Sequence, residues 1–256
     1  VNYGFTVGAA GILANMFRQD VASNNLANIQ TIGFKADMAT TIPRRAAREE
    51  DGLGQIPSNA LLERLGAGVL LAPTRTSFSQ GAVTRTGNPL DLAVDGPGFL
   101  AIAGSDGSTR LTRDGRLTLD RSGRLVTVTD GQSVLDASGR PINLDPRRGV
   151  QIDEAGTVYQ GGAAVARLQF VDVADRTRLR KLGDNQFGVD AGALATARPA
   201  TGRVLQFSVE QSSADPIQSV MAVQSAANAV GTNVRVMQIH DELMNRAINT
   251  FGRVST

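Results

Sequence analysis

The sequence predicts an α+β protein: long N- and C-terminal helices packed as a coiled-coil-like α-domain, with a central antiparallel β-rich domain between them in the chain. Three observations predict it. Apolar residues near both ends recur three and four apart, the period of a helix face. Between the ends the period falls to two, as in strands. Asp-Gly and Ser-Gly pairs punctuate that middle region, as hairpin turns do. The chain divides accordingly into an N-terminal helix of the α-domain over 1–35, an extended arm or linker over 36–72, a β-rich domain over 73–211 and a C-terminal helix of the α-domain over 212–256.

The first helix is expected from about Tyr3 to about Asn28. Tyr3, Val7, Ala10, Ala14, Phe17 and Val21 carry the three-four spacing, and Ile12, Leu13 and Met16 widen the face. So broad a stripe implies contact with more than one neighbour. Asn24, Asn25 and Asn28 flank Leu26. Asparagine is a poor interior helix residue and hydrogen-bonds locally, so these amides are expected to bind backbone or a neighbouring chain at a helix end. Gly33 reads as a C-terminal glycine, with Phe34 packing back on the helix.

The arm is poorly patterned. It holds Pro43, Pro57, several glycines from Gly52 to Gly68 and a charge run from Arg44 to Asp51, with short helical turns expected around Asn59 to Leu65. An irregular connection this long tends to be functional or disordered.

From about Leu70 to Phe207 strands are expected around Val83, Leu90 to Val94, Phe99 to Ile102, Leu168 to Val173 and Arg203 to Val209. A weak repeat runs through the middle. Asp120-Arg-Ser-Gly123, Asp136-Ala-Ser-Gly139 and Asp153-Glu-Ala-Gly156 each separate short apolar runs. Regular polar turns between short strands indicate an antiparallel sandwich or partial barrel.

The last helix has the clearest pattern. Val220, Val223, Ala227, Val230, Val234, Met237, Asp241, Met244, Ile248 and Phe251 form one heptad seam, broken only by Asp241. Asp215 suits the N-cap, Pro216 the first helical position and Gly252 the stop. A helix from Pro216 to Phe251 is about 54 Å long.

Composition sets outer bounds. At 256 residues and 41% hydrophobic content the chain has ample material for a core, and its 28 glycines point to many turns. With a net charge of only +2 and dispersed arginines, it lacks the concentrated basic patch of a nucleic-acid binder. No apolar run approaches the roughly 20 residues of a membrane span. The chain begins with Val1 and has no basic segment followed by an apolar core, so no secretory signal peptide is read in this form.

No catalytic constellation assembles. There is no cysteine, and the one histidine, His240, lies beside the helical seam. A conventional nucleophile–base triad is therefore hard to build. The aspartates of the repeated turns lack the ligand spacing of a calcium loop, and turn formation accounts for them. Few aromatics are present to stack on a sugar, which counts against a glycoside hydrolase. Neither Gly66-Ala-Gly68 nor Gly96-Pro-Gly98 completes a phosphate loop. No cofactor, metal or catalytic residue is expected.

Several segments together resemble one family. Ser23-Asn24-Asn25-Leu26-Ala27-Asn28 with Thr31-Ile32-Gly33-Phe34-Lys35 resembles the N-terminal signature of the bacterial flagellar rod and hook proteins. The run from Gln80 to Phe99, then Leu111-Thr112-Arg113-Asp114-Gly115, resembles the start of that family's β-domain. Ser212-Ser213-Ala214-Asp215-Pro216-Ile217 resembles its entrance to the C-terminal helix. Length and a single β-domain resemble the proximal- or distal-rod members more than the hook protein. One departure stands in the last helix, where Gln224 to Val230 lacks the Gln-Arg-Ala-Tyr-like run common in the family.

The resemblance implies a structural, non-enzymatic subunit of the basal-body rod in bacterial motility, exported through the flagellar type III apparatus without a cleaved signal peptide. Implied partners are copies of itself, other rod and hook subunits and the rod-surrounding rings, in a periplasm-spanning axial structure. The helical seams are then the subunit interface: Tyr3, Val7, Phe17, Val21, Asn24, Asn25, Leu26 and Asn28 at the first end; Val220, Val223, Val230, Val234, Met237, Asp241, Met244, Ile248 and Phe251 at the other. A hook-type axial paralogue is the alternative. A β-domain wall hydrolase with clustered carboxylates, or an adhesin displaying the arm, are the readings from other classes.

Overall fold

The computed structural model describes residues 3–46, 49 and 68–251. It is α+β, with a helix at each end of the chain and a β-rich region between them. The expected helical turns around Asn59 to Leu65 and the stop at Gly252 lie outside the described residues. The chain divides into two compact units. One comprises 1–26, 37–75 and 216–256; the other comprises 27–36 and 76–215.

In the helical unit, α1 spans Tyr3–Ala27. Its end falls where the asparagine-rich segment passes into turns at 28–33. The C-terminal helix runs unbroken over Pro216–Phe251, the predicted bounds, with Asp215 at the N-cap position and Pro216 at the first turn. The two helices meet through small residues. A Cβ added to Gly8 would lie 2.7 Å from Met237 Cγ; one on Gly4 or Gly11 would lie 3.0 Å from His240 or Asn233. Numbers rise along one helix as they fall along the other, so the pair is antiparallel. Ala14 and Ala226 are buried at the same face.

The unit also holds β1 (Asp37–Pro43) and β2 (Val69–Thr76), which form a two-stranded sheet. The sequence showed no strand over 37–43. Its partner lies more than 25 residues downstream, and a two-stranded ribbon with exposed side chains has no alternating pattern to read.

The β-rich unit begins with β3 (Val83–Arg85), β4 (Leu92–Asp95), β5 (Phe99–Ala103), β6 (Thr109–Thr112), β7 (Leu117–Leu119) and β8 (Leu125–Thr127). It continues through β9 (Val150–Ile152), β10 (Thr157–Gln160), β11 (Ala163–Arg167), β12 (Phe170–Asp172), β13 (Arg180–Gly183) and β14 (Gln186–Gly188). A short helix α2 (Ala191–Ala195) precedes β15 (Arg198–Pro199), β16 (Arg203–Gln206) and β17 (Ser208–Glu210), so the C-terminal helix is α3. The largest sheet has the order β13-β14-β6-β5-β12-β15, antiparallel throughout.

β5 organises the core, because alternate side chains of a strand point to opposite faces. Leu100 and Ile102 enter one apolar cluster with Leu92, Leu117, Leu125 and Val158. Phe99 and Ala101 enter a second with Leu111, Leu179 and Phe187. Phe78, Phe99 and Phe187 meet with centroids 5.3–5.8 Å apart.

The three repeated turns are built alike. In each, the aspartate's Oδ1 accepts the backbone N–H groups two and four residues on: Ser122 and Arg124, Ser138 and Arg140, Ala155 and Thr157. Each closes on a glycine with φ of 81°, 76° or 79°, a conformation that a Cβ disfavours. The carboxylates are occupied with turn formation.

The last strand is broken in two. Phe207 has φ 62°, and around it β16 pairs with β4 while β17 pairs with β3.

Candidate functional site

Two features carry the structural work of this chain: the outward faces of the terminal helices, and a buried charge cluster in the β-rich unit.

On α3 the residues covered within the chain are Ser219, Val223, Ala226, Val230, Asn233, Met237 and His240, all buried or half-buried. This is a three-four column, and it shares Val223, Val230 and Met237 with the predicted seam. The alternate positions differ. Val220, Val234, Asp241, Met244 and Ile248 are exposed and Ala227 is half-buried, while Ser219 and Ala226 are buried and Asn233 and His240 lie against α1. Asp241 accepts a hydrogen bond from Asn245 one turn on. On α1, Val21 is buried, Phe17 and Leu26 are half-buried, and Val7 is exposed. Tyr3 and Phe251 are helix-terminal residues whose side chains lie outside the described set.

Large apolar side chains remain in solvent on both helices: Phe5, Leu13 and Met16 on α1, and Val236, Ile239 and Leu243 on α3, each about half exposed. Asn25 serves the backbone. Asn25 donates to Asp37 O at 2.7 Å and accepts Asp37 N–H at 2.8 Å. Asn28 Oδ1 accepts the Thr31 hydroxyl, and Asn24 is exposed.

In the β-rich unit, residues 27–36 contribute no strand. They lie against the segment leaving β17. Gly33 N–H donates to Glu210 O, Ser213 N–H to Phe34 O and Ala36 N–H to Ser213 Oγ. Gly33 sits six residues past the end of α1, so it does not cap that helix. Its φ of 72° is used instead for close approach, since a Cβ there would meet the Arg113–Asp114 backbone at 2.6 Å. Phe34 is buried in this unit beneath Lys181 Nζ, 4.2 Å from the ring centroid.

Lys35 reaches inward. Its Nζ lies 2.6 Å from Glu210 Oε1 and 2.8 Å from Ser79 O. Arg113 Nη1 lies 3.1 Å from Glu210 Oε2, and Arg113 Nη2 donates to Gly96 O. The Lys35 and Glu210 side chains are 0% exposed and that of Arg113 is 2%. Burial pushes the Lys35 ammonium below the usual lysine range, and attraction to Glu210 offsets part of that shift. Sequence reasoning quoted Lys35 and Arg113 within motifs but gave them no role, and it passed over Glu210. The available signal was a charged residue in the buried phase of a strand, Ser208 and Glu210 facing one way.

The terminal helices pair through small residues of α1 and leave large apolar side chains turned outward, an architecture without a catalytic constellation among the described residues. A family model described as the flagellar hook protein FlgE/F/G D1 domain matches residues 93–160. The flagellar basal-body rod protein FlgF of Caulobacter vibrioides is 32% identical over 240 residues, spanning 92% of this chain and 92% of that protein. The rod protein FlgG of Agrobacterium fabrum is 30% identical over 254 residues, spanning 93% and 95%; FlgG of Caulobacter vibrioides is 28% identical over 252 residues, spanning 92% and 94%. The chain belongs to the family of flagellar basal-body rod proteins. That family is structural and not enzymatic.

Proposed function

We propose that this chain is a structural subunit of the bacterial flagellar basal-body rod, polymerising helically through its terminal helices with copies of itself and with other rod and hook subunits. The carrying observation is the outward placement of Phe5, Leu13, Met16, Val236, Ile239 and Leu243. Exposed contiguous apolar surface marks an interaction site. In a heterologous assembly one surface of each subunit meets a different surface of the next. The covered column of α3 then serves the chain's own α1. Val220, Val234, Asp241, Met244 and Ile248, with the outward stripe of α1, serve neighbouring subunits in coiled-coil-like packing. Export through the flagellar type III apparatus, a periplasm-spanning position and contact with the surrounding rings belong to the same reading.

The test is a double variant, Ile239→Lys with Leu243→Lys. Its far-UV circular dichroism should match the parent, while its incorporation into isolated basal bodies and the swimming of cells carrying it are lost. Normal incorporation and motility would sink the assignment of this face.

A further inference from the structure

We infer that residues 27–36 form a detachable strap on the β-rich unit, and that the Lys35 ammonium is the plug that seats it in a socket held ready by Glu210 and Arg113.

Four observations carry this. First, neither apolar cluster of the unit contains a residue of the strap. Removing the strap uncovers one buried apolar side chain, Phe34, and leaves both clusters intact, and local opening costs least where little apolar surface is uncovered. Second, the strap is held by a few hydrogen bonds to loops and strand ends. Its carbonyls are also clamped from the β13–β14 hairpin, where Asn185 Nδ2 donates to Ile32 O and Lys181 Nζ to Lys35 O.

Third, the socket is complete without Lys35. Glu210 keeps Arg113 on Oε2 and the Gly81 N–H on Oε1 at 2.9 Å, and Arg113 keeps the Gly96 carbonyl. That pair is electrically neutral, and seating Lys35 gives the buried group one positive charge in excess. An unbalanced buried charge is costly, so the strap is the member whose departure relieves the cluster. Fourth, Gly33 presses the strap flat against the Arg113–Asp114 backbone, which makes seating sensitive to a single methyl group.

Release frees ten residues between α1 and β1, a segment of about 33 Å at ~3.3 Å per residue when extended. The chain thereby carries a built-in slack that opens without unfolding either core cluster. This inference rests on the β-rich unit alone and is independent of the assembly reading.

Native-state hydrogen exchange on the full chain tests it, following the Gly33 and Ala36 amides of the strap against those of β5 and β6. In the parent, the strap amides should exchange at least tenfold faster than the core amides. Gly33→Ala and, separately, Lys35→Met should each speed the strap amides by a further tenfold or more and leave β5 and β6 at parent rates. Equal exchange of strap and core in the parent overturns the inference. So does parallel acceleration of both in Gly33→Ala. Parent rates at the strap in Lys35→Met overturn the role of Lys35 as the plug. The parent measurement stands even where a variant fails to fold.

Discussion

In the β-rich unit the large apolar side chains are inside. Phe99, Leu100, Ile102, Leu111 and Phe187 are essentially inaccessible. In the helical unit Gly4, Gly8 and Gly11 set the close contacts, and Phe5, Leu13, Met16, Val236, Ile239 and Leu243 are left about half exposed. The same chain thus uses two rules. One unit is packed for itself; the other uses small residues for itself and leaves its bulk for other molecules. A monomer's stability is therefore expected to reside chiefly in the β-rich unit, and the proposed assembly to draw on the helices.

The sharpest way to break this contrast is a core truncation. Leu100→Ala removes a buried side chain of the central strand and should cost about 2–5 kcal/mol. Urea unfolding of the β-rich unit should read that loss, with the helical signal of the ends retained. A loss shared equally by both units would erase the distinction. Next in size is Gly8→Leu, which forces a side chain into the Met237 contact. Overpacking there should weaken the α1–α3 pair by about 1–3 kcal/mol. Thermal melting of the helical signal should fall while the β-rich unit melts as before. Smaller still is Ile239→Lys alone, a half-exposed site. Monomer stability should stay within about 0.5 kcal/mol of the parent, with the deficit confined to assembly.

The smallest effect concerns the repeated turns. The Ser122 hydroxyl, followed by the Arg124 backbone N–H, holds the Asp120 carboxyl well below the usual carboxylate range. Its folded pKa is below its unfolded one, so its contribution is complete above the unfolded value near 3.8 and is lost as pH falls through the folded value. Carboxyl NMR titration should place Asp120 below 3.8, and Ser122→Ala should raise its midpoint. An unmoved midpoint would remove the serine from the turn's electrostatics.

The sequence made some of this plain and concealed the rest for physical reasons. The bounds of α3 were legible because Asp215-Pro216 is a strong local start signal. The Asp-x-x-Gly turns were legible because each is closed by its own few residues. The covered face of α3 was not. The α1 glycines Gly4, Gly8 and Gly11 make room for polar and bulky partners, so His240 and Asn233 join Ser219 and Ala226 in the covered column without adding to an apolar period. A search for apolar periodicity slides one position over, to Val220, Ala227, Val234 and Asp241. The Lys35–Glu210–Arg113 cluster was hidden differently, since its members are scattered along the chain and nothing local tells a buried charge from a solvated one.

The corner at Phe207 has a mechanical meaning. Coming from α3, the chain passes Ser213, bonded to Phe34 and Ala36, and Gln211, bonded to Ala82, before β17, whose ladder partner is β3. Beyond it the backbone turns at Phe207, so a load does not run straight into the β16–β4 ladder. The most heavily held residue of this segment is Glu210, gripped through its carboxylate by Lys35, Arg113 and the Gly81 amide and through its carbonyl by the Gly33 amide. In the rod proposed above, that residue is expected to act as a bolt that takes up tension before the β16–β4 ladder is sheared.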